Sequence, residues 1–344
     1  MNASPRDLLA HVGRRTIVVA GALTVALVLV ATLPGLLGSD VTAALHQLEE
    51  AQPIWLWLAA LGFVGSLAGS ALAWRSALAA VGGHSGPLDA GARYGVGSLV
   101  NSVAPARLGD VVRVGLFSRT LPGDDRVLRT SGAFAAIGAA RALVLAAMLI
   151  VGFSLGALPL WPVAALVALG GLAVLLAFLT RRRTPHSHVA HLLDAFRAFG
   201  REPLRGARIV AWVALATLSR LGAAGAIAAA LGVHSPVIAA LLIVPVLDLA
   251  GTMPLTPGNI GVTSGAVAMA LQAHGVGLTD ALGAGIALHA VETAAGLVFG
   301  LTGALLLARF PSPASRRIAI ASAGGLAAAA LAAGVAATVV IPLV

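Results

Sequence analysis

The sequence predicts an all-α, polytopic integral membrane protein with about seven spanning helices and two oppositely oriented re-entrant hairpins in an inverted repeat. Three observations carry this expectation. Of the 344 residues, 59% are hydrophobic and only 10% charged, whereas a soluble domain carries roughly 25% charged residues. Seven stretches are long and apolar enough to span a bilayer core, which needs about 20 residues. Two further apolar stretches, about 85–120 and 236–275, are broken in the middle by Pro, Gly and polar residues.

The elements follow in order. Arg14 and Arg15 precede an apolar run over 16–37. That run is too long for a secretory h-region and lacks a convincing cleavage site, so it reads as an uncleaved first span. The other predicted spans are 54–74, 131–153, 158–180, 208–231, 281–308 and 318–343. The two broken stretches read as hairpins, because irregular backbone at membrane depth survives only where protein or a watery cavity covers it. The segment 181–207 reads as an amphipathic cytoplasmic connector beside anionic headgroups. A metal site built from His186, His188 and His191 is the weaker reading of it, and no cofactor is expected. No soluble domain is left over, so 1–344 forms a single transmembrane domain.

Charge sets the orientation. The net charge is +9, and all 22 basic residues are Arg. Such a balance need not mean nucleic-acid binding, since positive charge collects in the cytoplasmic loops of membrane proteins. With the N-terminus inside, Arg14, Arg15, Arg75, Arg119, Arg126, Arg129, the Arg residues from Arg181 to Arg208, and Arg309, Arg316 and Arg317 fall on the cytoplasmic side. Asp40, Glu49, Glu50, His234 and Asp280 fall outside. The first hairpin must then enter from the cytoplasm and the second from the exterior. This is the pattern of a multi-pass protein of a bacterial inner membrane. Cysteine is absent, which excludes disulfides and thiolate metal sites.

An internal repeat supports the hairpins. Segments 76–85 and 226–235 are alike, and each leads into a broken stretch. The breaks carry Pro105-Ala-Arg-Leu-Gly109 and Pro257-Gly-Asn-Ile-Gly261, at nearly the same offset. Repeat one covers 54–153 and repeat two 208–308, with every direction reversed. Inverted repeats whose broken helices meet at mid-membrane are a transporter signature. The plainer alternative is a set of Pro-kinked helices with no transport role.

Ionisable residues at membrane depth mark the candidate site. Around the first break stand Asn101, Arg107, Asp110 and Arg113. A helix resuming near Leu108 places Asp110 in its first turn and Arg113 one turn on, where the two can pair. Arg107 is then the group most open to a ligand phosphate, which a guanidinium fork fits. Alternatively, all three ionise only to lock the hairpin. Around the second break, Asp248 and Asn259 join three prolines and three glycines, a composition that cannot stay continuously helical. Arg141, Arg220 and the His289/Glu292 pair lie near the centres of spans. Each such charge costs about 2.5–3.5 kcal/mol to insert. His289 and Glu292 share a helix face and could relay a proton or hold a cation. Arg141 aligns close to His289 across the repeat, and a purely structural ion network is the competing view. Trp55, Trp57 and Trp161 read as interfacial anchors. No P-loop, HExxH, GxSxG or Asp-rich motif is present, so no enzymatic activity is expected.

At the two breaks the chain resembles a known family. Asn101…Pro105-x-Arg107-x-Gly109-Asp110-x-x-Arg113 and Pro254-Leu-Thr-Pro257-Gly-Asn-Ile-Gly261-Val look like the hairpins of the flippase-like transmembrane family defined from the membrane region of lysyl-phosphatidylglycerol synthase. The likeness runs from about Trp55 to Ala308. Asp110 replaces a Glu of the family pattern, Asn259 a Gly, Ser264 a Glu and His289 an Arg. The resemblance implies movement of a phospholipid or polyprenyl-linked lipid between leaflets. The aminoacyl-transferring domain of some relatives is missing from this sequence, so synthesis of aminoacyl lipids is not expected. The expected partners are therefore a lipid and the membrane, with self-association left open. The competing functions are secondary transport of a small soluble anion, a membrane enzyme acting on a lipid, and a non-catalytic partner of a lipid-modifying enzyme.

Overall fold

The computed structural model describes residues 51–103, 108–158, 203–250 and 262–308. The predicted spans 16–37 and 318–343, and all but the first residue of 158–180, lie outside them, as does most of the connector 181–207. Among the described residues there are eight helices and no strands. They are α1 (Pro53–Ala80), α2 (Pro87–Val103), α3 (Leu108–Ser118), α4 (Arg126–Ser154), α5 (Pro203–Ala230), α6 (Pro236–Ala250), α7 (Val262–Gln272) and α8 (Leu278–Leu307).

Four of them, α1, α4, α5 and α8, are long and apolar enough to cross a membrane. At about 1.5 Å rise per residue the shortest of these, of 28 residues, exceeds a hydrocarbon core about 30 Å thick. Each runs a few residues past the apolar stretch predicted for it, because helical backbone continues into polar flanks once its first turns are stabilised. Pro opens α1, α2, α5 and α6, a position where its missing N–H costs nothing and its fixed φ suits the first turn.

The eight helices form two sets of four with matching lengths: 28, 17, 11 and 29 residues, then 28, 15, 11 and 30. The resemblance between 76–85 and 226–235 has a common local structure. After α1 and after α5 the chain turns through a left-handed glycine, Gly82 (φ 87°) and Gly232 (φ 68°). The next N–H then reaches back to a carbonyl five residues earlier, Gly83 to Leu78 at 2.8 Å and Val233 to Ala228 at 2.9 Å. This closes the last turn and satisfies a carbonyl that would otherwise be orphaned.

The prolines of the second broken stretch act less uniformly than the sequence implied. Pro245 lies inside α6, which runs on to Ala250. The helix tolerates it because the neighbouring bundle can accommodate one lost backbone hydrogen bond.

Small residues let the long helices approach. α1 packs along much of α5, and a methyl group on Gly62 would sit 2.7 Å from the Ser219 carbonyl oxygen. Without a hydrophobic drive inside lipid, such backbone proximity is what gives helix pairs their van der Waals contact. α2 lies equally close on α8, where a methyl on Gly95 would be 2.7 Å from the Phe299 carbonyl oxygen. The corresponding seam between α6 and α4 is far slighter.

Two apolar clusters organise the interior. One gathers Leu56 and Phe63 of α1, Met148 of α4, Ala223 to Ala228 of α5, and residues of α6, α7 and α8. The other gathers Trp74 and Leu78 of α1, Phe117 of α3, Ile137 of α4, and Ile209 and Val213 of α5. Trp74 stacks on Phe117 with ring centroids 4.7 Å apart, which pins α3 to α1. Along α1, α4 and α5 the residues between the two clusters line a cavity.

Candidate functional site

The cavity has a volume of about 610 Å³ and is lined by side chains from all eight helices. It lies at mid-helix depth. Ser66 and Ser70 of α1, Arg141 of α4, Thr217 and Arg220 of α5, and His289, Glu292 and Thr293 of α8 all face it. Each charge sits near the middle of a helix long enough to span the membrane. The volume is within the roughly 300–1,000 Å³ typical of small-ligand pockets.

The α2–α3 break is tied together by polar side chains. Asn101 of α2 accepts a hydrogen bond from the Gly109 N–H at 2.7 Å, and its amide donates to Asp110 at 3.4 Å. It thereby caps the start of α3 from outside, satisfying one of the donors that every helix N-terminus leaves free. Asp110 stands in the first turn of α3, where a carboxylate is favoured by the exposed N–H groups.

Arg113 completes the clamp. Its guanidinium donates to Asp110 at 2.5 Å, to the Ser98 hydroxyl at 2.7 Å and to the Tyr94 carbonyl at 3.4 Å. It also lies 4.1 Å from the Tyr94 ring centroid, close enough for a cation–π contact. The residue is only 8% exposed. Gly97 makes room for it, since a methyl there would be 2.7 Å from Arg113 Nε. Arg113 therefore lines the cavity but has its fork engaged by α2 and α3. Arg107, the other Arg of this break, lies outside the described residues, as does Asn259 of the second break.

A second cluster joins three helices that are remote in sequence. Arg220 of α5 donates through Nη1 to Asp248 of α6 at 2.7 Å and through Nη2 to Glu292 of α8 at 2.9 Å. Its Nε is buried and has no hydrogen-bond partner among the described residues. Asp248, which stands in the otherwise apolar α6, thus has its charge paired. His289, one turn before Glu292, also lines the cavity.

Arg141 differs from both. It lines the cavity and is exposed. Among the described residues no carboxylate pairs with it and no hydrogen bond holds it. Among the described residues the formal charges of the site sum simply: Arg113 with Asp110 is neutral, Arg220 with Asp248 and Glu292 carries one negative charge, and Arg141 carries one positive charge.

The sequence reading did not single out Tyr94, Ser98 or Ser70. Tyr94, Ser98, Asn101 and Ser102 all line the cavity, and their spacing of four, three and one puts them on one face of α2. A polar stripe on an otherwise apolar stretch was the available signal.

The fold and this site define a multi-pass helical membrane protein with a charged interior cavity. The family described as lysylphosphatidylglycerol synthase TM region matches residues 17–300. The chain belongs to that family, which ties it to membrane lipid metabolism. No curated protein matches the chain.

Proposed function

We propose that this protein moves a phosphate-bearing lipid headgroup between the leaflets of a bacterial inner membrane, through the cavity around Arg141. The observation that carries the reading is the unpaired charge of Arg141. An Arg at mid-membrane depth costs about 2.5–3.5 kcal/mol on insertion scales. Arg113 and Arg220 offset that cost with carboxylates. Arg141 has none among the described residues and is exposed where it lines the cavity, so an incoming anion would meet a cation with no carboxylate to displace. A guanidinium fork matches phosphate oxygens in two parallel hydrogen bonds.

Family membership and helix arrangement support the same reading. In it, α2 with α3 and α6 with α7 are re-entrant hairpins, and the two sets of four helices are inverted copies. The N-terminus is cytoplasmic. The slight seam between α4 and α6 is the side through which a headgroup enters while its acyl chains stay in lipid. The reaction is translocation, with no covalent chemistry.

Mass spectrometry of lipids copurifying with the wild type and with Arg141→Ala, in matched detergent, tests the assignment. One phosphate-bearing lipid enriched on the wild type and depleted at least several-fold on the variant is the expected result. Identical lipid profiles on the two proteins would remove Arg141 as the headgroup contact.

A further inference from the structure

The charge sum of the cavity has a consequence for energetics. Before a ligand enters, the positive charge of Arg141 balances the single negative charge of the Arg220, Asp248 and Glu292 cluster. Entry of a phosphodiester monoanion leaves the cavity one negative charge in excess. Carrying a net charge across a membrane is costly, and ionisable groups along the path take up or release protons to avoid it.

We infer that each lipid phosphate crosses together with one proton, carried on Glu292 of the Arg220 cluster. The inference rests on the lipid-translocating reading above and adds its coupling ion. Two carboxylates share one guanidinium, so one of them can be neutralised while the other still holds Arg220. Glu292 is the carboxylate placed for this, because His289 lies one turn away on the same helix and both line the cavity. A neutral imidazole can accept a proton on one nitrogen and release one from the other.

The step balances. A proton leaves water on the entry side, bonds to a Glu292 carboxylate oxygen and breaks its charge-assisted hydrogen bond with Arg220 Nη2. Asp248 keeps its bond to Nη1. The freed Nη2 edge, with the unpartnered Nε beside it, is then available to a second phosphate oxygen. When the headgroup leaves on the other side, Glu292 returns the proton to water and recovers Arg220.

Among the described residues, the other titratable or charged groups facing this cluster are Tyr94 of α2, Arg113 of α3 with its Asp110, and Arg141 of α4. Arg113 and Asp110 neutralise each other, and Arg141 is taken by the phosphate. α1 and α7 present only hydroxyls and apolar side chains to the cavity.

The repeat makes the cluster one-sided. Arg220 and Ser70 each lie seventeen residues past the first residue of their helices, α5 and α1. Arg141 and Thr293 each lie fifteen past the first residue of α4 and α8, so Arg141 stands opposite the residue next to Glu292. One half thus presents the cation for phosphate, and the other presents the proton-accepting cluster.

The test uses the full chain in phosphatidylcholine vesicles containing fluorescent phosphatidylglycerol, with a pH-sensitive dye in the lumen. Leaflet distribution is read after imposing a pH gradient or, separately, a potassium-diffusion potential. A one-to-one proton and monoanion pair is electroneutral. The wild-type distribution is therefore expected to shift about tenfold per pH unit and to ignore the potential, with lumenal pH moving in step. Glu292→Gln fixes the uncharged state, so any translocation it retains responds to the potential and not to the pH gradient. Glu292→Asp keeps an ionisable group and retains a pH response. A wild type that translocates the lipid without regard to the pH gradient overturns the coupling and leaves the translocation reading intact. A Glu292→Gln protein that keeps the full pH response also overturns it. A wild type that moves no lipid under any condition overturns the translocation reading, and the coupling with it.

Discussion

Arg141→Ala is expected to slow translocation of an anionic phospholipid in reconstituted vesicles by about 10- to 100-fold. The magnitude follows from a hydrogen bond to a charged group, worth about 1.5–3 kcal/mol, at a site where, among the described residues, the other cavity Arg side chains are engaged by carboxylates. Arg113 has its donors committed to Asp110, Ser98 and Tyr94. Arg220 is held by Asp248 and Glu292. Neither can take over the phosphate without giving up a carboxylate. Arg141→Lys restores the charge but not the fork, so partial recovery is expected. Because Arg141 makes no hydrogen bond or ion pair among the described residues, its loss should leave thermal stability in detergent nearly unchanged. A variant that unfolds, rather than one that folds and fails to transport, would contradict this role.

Arg113→Ala is expected to show the opposite profile. Removing this side chain leaves Asp110 without a counter-ion at 20% side-chain exposure, frees the Ser98 hydroxyl and empties the space above the Tyr94 ring. Truncating one partner of a buried pair costs about 3–5 kcal/mol; with Arg113 buried but Asp110 one-fifth exposed, partial solvation of the carboxylate puts the expected cost at the lower end of that range. The melting temperature should fall by several degrees, and cleavage by protease within the α2–α3 break should rise. Asp110→Asn with Arg113 intact should be milder, since the amide still accepts a hydrogen bond. Equal stability of Arg113→Ala and wild type would show that α2 and α3 are held by apolar packing alone.

These two Arg residues show how far the sequence could be read. The membrane class, the positions of α1, α4, α5 and α8, and the start of α3 at Leu108 follow from hydropathy and from helix-breaking residues, which are local properties. The Asp110–Arg113 pair was legible for the same reason, because three residues on a helix fix its geometry. The Arg220 cluster was not, although its members had all been marked. Arg220 lies 28 residues from Asp248 and 72 from Glu292, and which charges meet depends on how helices pack. The relative standing of Arg113 and Arg141 was hidden likewise. Arg113 read as a partner of Asp110 and Arg141 as a mid-span cation, and only the disposition of Ser98, Tyr94 and Gly97 on the facing helix shows how fully the first is consumed by the fold. Pro245 is the reverse case, a local breaker that the surrounding bundle overrides.

In the function proposed above, this chain carries lipid headgroups across the bilayer. That function is tested most directly by following fluorescent phosphatidylglycerol in vesicles reconstituted with purified wild type, using a membrane-impermeant reductant to bleach the outer leaflet. Lipid initially confined to the inner leaflet is expected to become bleachable much faster than in protein-free vesicles. Bleaching kinetics indistinguishable from those of protein-free vesicles, together with uptake of a soluble phosphate anion by the same preparation, would contradict it and assign Arg141 to a water-soluble substrate.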